Sequence, residues 1–244
     1  MAIQLFKART EAIRTLTHDV REIRLALREP GEMAFKAGQF VSFDVPNPRT
    51  GRTVTRPYSI ASPPSQRNAL TLVLNLVKDG PGSTYLFGLR EGDGVEFKGP
   101  AGTFYLRDEP DRDVLLVATG TGIAPFRSML CDLADRLFRR AVTLYWGLRS
   151  QKDLYYQDEL AVLTKRLANF TAITTLSRPE PGWTGETGRV TRLAEDRVRS
   201  VKDLAVYLCG NSGMLREVSD IINKKGLCPI RKEKWYDDTG SHED

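Results

Sequence analysis

Apolar and polar residues alternate with a period of two over much of the first hundred positions. Ile23, Leu25 and Leu27 are separated by polar or small neighbours, and Val41, Phe43 and Val45 repeat the pattern. Leu70, Leu72, Leu74 and Leu76 make a third run, interrupted only by Val73. Such alternation puts the apolar side chains on one face of an extended chain, so each run predicts a half-buried strand. Pro30-Gly31, Asn47-Pro48, Asp79-Gly80-Pro81-Gly82 and Gly99-Pro100-Ala101-Gly102 fall between or after the runs and read as turns. This half predicts an antiparallel barrel or sandwich.

The period then changes. Asp113 to Thr119 has a continuous apolar centre, the mark of a parallel strand covered on both faces. From Pro125 onward, Phe126, Met129, Leu130, Leu133 and Leu137 fall on one side of a helix. Val142 to Trp146, Phe170 to Leu176 and Leu204 to Cys209 read as further strands with helical stretches between them. Strands alternating with helices predict an open parallel α/β sheet. Glu109 to Arg112, charged and containing Pro110, is the natural boundary, which gives domains 1–108 and 109–244. The polar tail Asp237 to Asp244 is expected to fray.

Composition narrows the chemistry. The chain has 244 residues, 41% of them hydrophobic and 27% charged, as in ordinary globular proteins. Its cysteines, Cys131, Cys209 and Cys228, form no close pair and no four-cysteine spacing for an iron–sulfur cluster. With His18 and His242 as the whole histidine complement, no metal site is expected. Any one-electron centre is therefore expected on another polypeptide. Met1 to Thr10 is followed by no apolar segment, and no run approaches the ~20 residues that span a bilayer. The expectation is a cytoplasmic protein without membrane insertion. The net charge of +5 suits an acidic partner and equally an ordinary solvated surface of mixed charge, and no nucleic-acid recognition motif is present.

Arg56-Pro57-Tyr58-Ser59 carries the groups that hold a flavin nucleotide. Arg56 offers a planar guanidinium to a phosphate, and Pro57 fixes the backbone between Arg56 and Tyr58. Tyr58 offers an aromatic face to the isoalloxazine ring, and Ser59 offers a hydroxyl to the ring nitrogen that takes up hydride. Val77-Lys78 and Gly82-Ser83-Thr84 add backbone and side-chain donors for a phosphate. Taken alone, these segments also fit an exposed strand end and a hydrophilic hairpin turn.

Gly120-Thr121-Gly122 follows the buried strand and, with Pro125, opens a helix. Glycines let a backbone approach a pyrophosphate, and a helix N-terminus favours its charge, although proline replaces the third glycine of the usual fingerprint. A generic strand–turn–helix junction has the same outline. The next two strands end at Gly147-Leu148-Arg149 and Ser177-Arg178, and Arg189 follows Gly188. An acid for a ribose 2′-hydroxyl is missing there, whereas three arginines suit a 2′-phosphate. The alternative is solvated loop arginines in a basic protein.

Four motifs in order carry a resemblance across nearly the whole chain, beginning at Lys36-Ala37-Gly38-Gln39-Phe40. They are Arg56-Pro57-Tyr58-Ser59, Gly99-Pro100-Ala101-Gly102-Thr103-Phe104, Gly120-Thr121-Gly122-Ile123-Ala124-Pro125 and Cys209-Gly210-Asn211. The sequence resembles the ferredoxin–NADP reductase family, in particular its bacterial flavoprotein members. The resemblance implies an N-terminal FAD-binding Greek-key β-barrel and a C-terminal NADP-binding α/β domain. It implies FAD and NADP(H) as cofactors, a ferredoxin or flavodoxin as partner, and arginines at the matching positions for the 2′-phosphate. It also places Cys209 by the nicotinamide, at the site of transfer with Ser59, where a small buried hydrophobe is the alternative reading of the cysteine. In plant-type members a terminal aromatic residue covers the flavin; Trp235 and Tyr236 are followed by eight residues, so that role does not carry over. Two other readings stay open: the NADH-dependent reductase component of an oxygenase, and a flavin relay subunit without coenzyme turnover.

Overall fold

The computed structural model describes residues 3–234, so Trp235, Tyr236 and the polar tail lie outside the described residues. The chain divides into two compact units. One comprises the residues up to Leu106 together with Ala124–Asp132; the other comprises Arg107–Ile123 and the residues from Leu133 onward.

The first unit is built on six antiparallel strands: β1 (Gln4–Thr15), β2 (Val20–Glu29), β3 (Phe40–Pro46), β4 (Thr53–Ser59), β5 (Ala69–Asn75) and β6 (Gly94–Ala101). Their order in the sheet is β4-β3-β6-β1-β2-β5. An isolated bridge between Ile60 and Leu72 joins the two edges, and the Ala61 N–H donates to the Thr71 carbonyl at 2.8 Å. The sheet thereby curls into a Greek-key barrel. Phe6, Ile23, Leu25, Val41, Phe43, Leu72 and Phe97 fill it, with Phe6 stacked on Phe97 at 5.7 Å and Phe43 tilted against Phe97 at 5.4 Å.

Three local expectations are corrected here. The run at Leu70–Leu74 is buried on both faces, because Thr71 and Val73 are covered as well as the leucines. Gly99-Pro100-Ala101 is the end of β6 rather than a turn. A Cβ at Gly99 would lie 2.8 Å from Val41 Cγ1, so the strand needs glycine where β3 crosses closely. Asp79-Gly80-Pro81-Gly82 is not a hairpin turn either: helix α1 (Pro81–Gly88) starts within it.

The second unit carries a parallel sheet of β7 (Asp113–Thr119), β8 (Val142–Leu148), β9 (Phe170–Leu176), β10 (Glu186–Thr187), β11 (Leu204–Gly210) and β12 (Ile230–Lys234). Its order is β10-β9-β8-β7-β11-β12. Helices α3 (Gln157–Arg166), α4 (Val190–Arg197) and α5 (Ser212–Lys225) connect its strands, and α2 (Ile123–Asp135), most of which belongs to the first unit, lies between β7 and β8 in the chain. Val190, Leu193 and Ala194 of α4 and Met214, Val218 and Ile222 of α5 pack with Leu115, Val117, Val206 and Leu208 into one core. The centres of β7 and β11 are buried throughout, as the continuous apolar runs require. Strand order reverses between β7 and β11, and such reversals open a crevice at the strands' C-terminal ends.

Candidate functional site

Each unit presents its own cluster of predicted residues. In the first, β4 places Arg56 and Tyr58 on the face of β3's Phe43 and Val41, to which they are register partners. Tyr58 meets the Phe43 ring edge-on at 5.9 Å. Burial pushes its phenol pKa well up, an effect the neighbouring Arg56 partly offsets. The hydroxyl therefore stays protonated and able to donate. The start of α1 lies against the same face. A Cβ at Gly82 would sit 2.4 Å from the Tyr58 hydroxyl and 2.8 Å from Arg56 Cβ, so glycine is what admits the helix here.

Pro81 takes the first helical position, where a missing N–H costs little. The Thr84 N–H donates to the Gly80 carbonyl at 2.9 Å, so the N–H groups of Gly82 and Ser83 are the first-turn donors left outside the helical ladder. The Ser83 hydroxyl turns inward: it accepts from the Val77 N–H and donates to the Gly80 carbonyl, both at 3.1 Å. It ties the Val77–Gly80 loop to the helix, while Lys78 and Thr84 are exposed beside it. The Arg56 guanidinium donates to the Thr55 carbonyl at 3.1 Å, while its stem and the protonated Tyr58 phenol lie against the positive end of the helix, a combination that suits a phosphate.

Ser59 belongs to the other side of β4. It pairs with Phe40, whose ring covers Gly102; a Cβ there would lie 2.8 Å from Phe40 Cε1. Gln39 donates to the Gly102 carbonyl at 3.2 Å and accepts from the Lys36 N–H at 2.9 Å. The structure thus groups Arg56, Tyr58 and Gly82-Ser83 on one side, and Ser59 with the Gly38–Phe40 and Gly102 segments on the other.

In the second unit Gly120–Gly122 forms a 3₁₀ turn between β7 and α2. Gly122 is packed into the crevice: a Cβ would lie 2.3 Å from the Cys209 carbonyl oxygen. A Cβ at Gly210 would lie 2.2 Å from Thr119 Oγ1. Thr119 Oγ1 accepts from both the backbone N–H and the side-chain amide of Asn211 at 3.3 Å. Asn211 also caps α5 by accepting from the Met214 N–H at 2.9 Å. The two strand ends are thereby locked together, with Thr121 on the turn above them. Cys209 is buried, and burial foremost, then the Glu233 charge, raises its thiol pKa well above the usual value. It presents a neutral thiol there, not a thiolate nucleophile.

Trp146 and Tyr155 are residues the sequence reading passed over. Trp146 Nε1 donates to the Gly120 carbonyl at 2.9 Å and the Tyr155 hydroxyl donates to the same oxygen at 3.1 Å. Their rings meet edge-on at 4.8 Å. In a trans peptide the carbonyl and the following N–H point opposite ways, so pinning this oxygen aims the Thr121 N–H away from the pair. Gly120 sits at φ +51°, a conformation glycine adopts freely, and the two donors select this orientation. A buried tryptophan needing a partner for its indole N–H is the signal that identifies such a residue.

The arginine segments also converge. The Ser177 N–H donates to the Leu148 carbonyl at 3.0 Å and the Arg178 N–H to the Arg149 carbonyl at 2.7 Å. The Gly188 N–H donates to Leu176 at 2.8 Å, and Thr175 Oγ1 to the Gly188 carbonyl at 2.9 Å. Arg189 follows as the residue just before α4. All three arginines are exposed, and none forms an ion pair among the described residues. No helix among the described residues is long and apolar enough to cross a membrane.

Residues 7–105 match the family model of the oxidoreductase FAD-binding domain, and residues 116–220 match that of the oxidoreductase NAD-binding domain. Ferredoxin–NADP reductase B of Sorangium cellulosum is 33% identical over 222 residues, covering 88% of this chain and 90% of that protein. The phenol hydroxylase P5 protein of Acinetobacter pittii is 32% identical over 212 residues, covering 85% of this chain and 58% of its own length. The crystal structure of the Amycolatopsis cytochrome P450 reductase GcoB superposes with a TM-score of 0.85 at 28% identity, covering 95% of this chain and 70% of that one. The chain thus spans about three fifths of the length of some relatives and nearly all of another.

Proposed function

The chain belongs to the ferredoxin–NADP reductase family of FAD- and NAD(P)-binding oxidoreductases, and on that premise we propose that it exchanges electrons between NADP(H) and a separate ferredoxin or flavodoxin. The observation that carries the coenzyme choice is the backbone pairing of the segments that bear Arg149, Arg178 and Arg189, just past the ends of β8, β9 and β10, with no carboxylate in ion-pair range of these arginines among the described residues. Guanidinium forks match the geometry of a phosphate dianion, and a ribose bearing a free 2′-hydroxyl gains little from them.

Bound FAD supplies the change from two-electron hydride chemistry to one-electron transfer. The side chains of this chain bind and orient. Arg56 and the Gly82 and Ser83 N–H groups hold the flavin nucleotide's phosphates, and the protonated Tyr58 hydroxyl donates beside them. Ser59 serves the ring from the other side of β4. In the second unit, Thr121 and Gly122 hold the coenzyme pyrophosphate at the start of α2, and Ser177 joins the arginines around the 2′-phosphate. Cys209 shapes the nicotinamide end and stays protonated, so it requires no proton exchange during turnover. Orientation is the catalytic contribution asked of these groups.

The similarity to the phenol hydroxylase P5 protein favours a second reading, an NADH-dependent oxygenase reductase. Anaerobic stopped-flow mixing of the flavin-loaded protein with NADPH and, separately, NADH distinguishes them. Faster flavin bleaching by NADPH, followed by reoxidation on adding a ferredoxin or flavodoxin, is expected. A preference for NADH selects the second reading, and bleaching by neither removes the reductase reading altogether.

A further inference from the structure

Beyond the paired backbones of Arg149 and Arg178, the same two segments are joined once more by a side chain. Gln151 Nε2 donates to the Glu180 carbonyl at 2.8 Å, and Gln151 Oε1 accepts from the Glu180 N–H at 2.8 Å. One amide side chain thus makes both bonds that a neighbouring strand would make to Glu180. The series runs Leu148 to Ser177, Arg149 to Arg178, then Gln151 to Glu180, continuing the pairing past the last residues of β8 and β9. Lys152 adds an exposed ion pair to the Glu180 carboxylate at 3.0 Å, which contributes little alone. Gln151 is itself held: Ser150 and Asp153 form a reciprocal cap around its turn, with Ser150 N and Oγ donating to Asp153 at 2.8 and 2.9 Å.

Without this amide, the segment beyond Arg178 would be held to the Arg149 segment only by the Arg178–Arg149 backbone bond and the exposed Lys152–Glu180 ion pair. A long cationic side chain gains affinity for a phosphate when its backbone is fixed, because less freedom is lost on binding. We propose that Gln151 is a positioning residue for NADP(H) specificity, clamping the Arg178 segment onto the Arg149 segment so that both guanidinium groups face one 2′-phosphate. This inference rests on the coenzyme reading above. It assigns Gln151 no contact with the coenzyme.

The test uses the flavin-loaded protein and two nucleotides that differ by one phosphate, 2′,5′-ADP and 5′-ADP, with calorimetric dissociation constants. Gln151→Met keeps the length and removes both hydrogen bonds. It is expected to weaken 2′,5′-ADP by about 3- to 10-fold, as for one or two part-exposed hydrogen bonds, and to leave 5′-ADP within about twofold. The KM for NADPH should rise in parallel with kcat unchanged. Unchanged 2′,5′-ADP binding in Gln151→Met, or equal weakening of both nucleotides, overturns the clamp. Arg149→Ala and Arg178→Ala separate the two levels. If they weaken 2′,5′-ADP and Gln151→Met does not, the clamp alone is wrong; if they leave it unchanged, the coenzyme reading and the clamp fall together.

Discussion

A methyl group at position 122 would collide with a backbone oxygen, which cannot move aside as a flexible side chain can. Gly122→Ala should therefore destabilise the second unit by about 1–3 kcal/mol, read as a lower midpoint in denaturant unfolding. Tyr155→Phe removes one of the two side-chain donors to the Gly120 carbonyl without changing the packed ring. Because the orientation it supports serves the pyrophosphate, KM for NADPH and NADH should rise together by about 3- to 10-fold. A rise for one coenzyme alone would place Tyr155 elsewhere in the site. Cys209 makes a prediction in pH. Its native pKa lies above the ordinary value of 9.0, so native protein keeps its proton while the unfolded chain loses it. The native thiol's advantage is complete below that value and declines as pH rises through it. The stability gap between wild type and Cys209→Ser should accordingly narrow between pH 8 and 10 in urea unfolding. A gap that widens would mean that the native thiol ionises first.

Among the elements, β7 and its glycine turn were readable because a run buried on both faces has a distinctive composition, and a helix had to follow Gly122. The placing of Arg149, Arg178 and Arg189 just past the ends of β8, β9 and β10 was readable because strand ends fix where their next residues fall. Helix α1 was not. Gly80, Gly82 and Gly88 are poor helix formers, and Asp79-Gly80-Pro81-Gly82 has the residues of a turn. The surviving signal was Pro81, which is favoured at the first helical position. Trp146 was hidden inside an apolar strand, where its indole looked like packing until its acceptor was known. Gly82 is where α1 and β4 depend on each other. Gly82→Ala forces Tyr58 or Arg56 to shift, and FAD should then bind at least about 10-fold more weakly in flavin-fluorescence titration. Unaltered FAD affinity would detach the helix start from the flavin phosphates.

For the whole molecule, the net charge of +5 sets an expectation for the carrier. Association with an acidic ferredoxin or flavodoxin should slow steeply as ionic strength rises, since opposite charges steer encounter at low salt. A salt-independent rate would point to a partner recognised by shape. The proposed preference for NADP(H) rests on the arginine set. The most direct measurement is the ratio of kcat/KM for NADPH to that for NADH, in wild type and in Arg149→Ala/Arg178→Ala. The expected ratio is above one and falls by about 30-fold or more in the double variant, with the NADH value nearly unchanged. A wild-type ratio below one, or a ratio that survives the loss of both arginines, would contradict it.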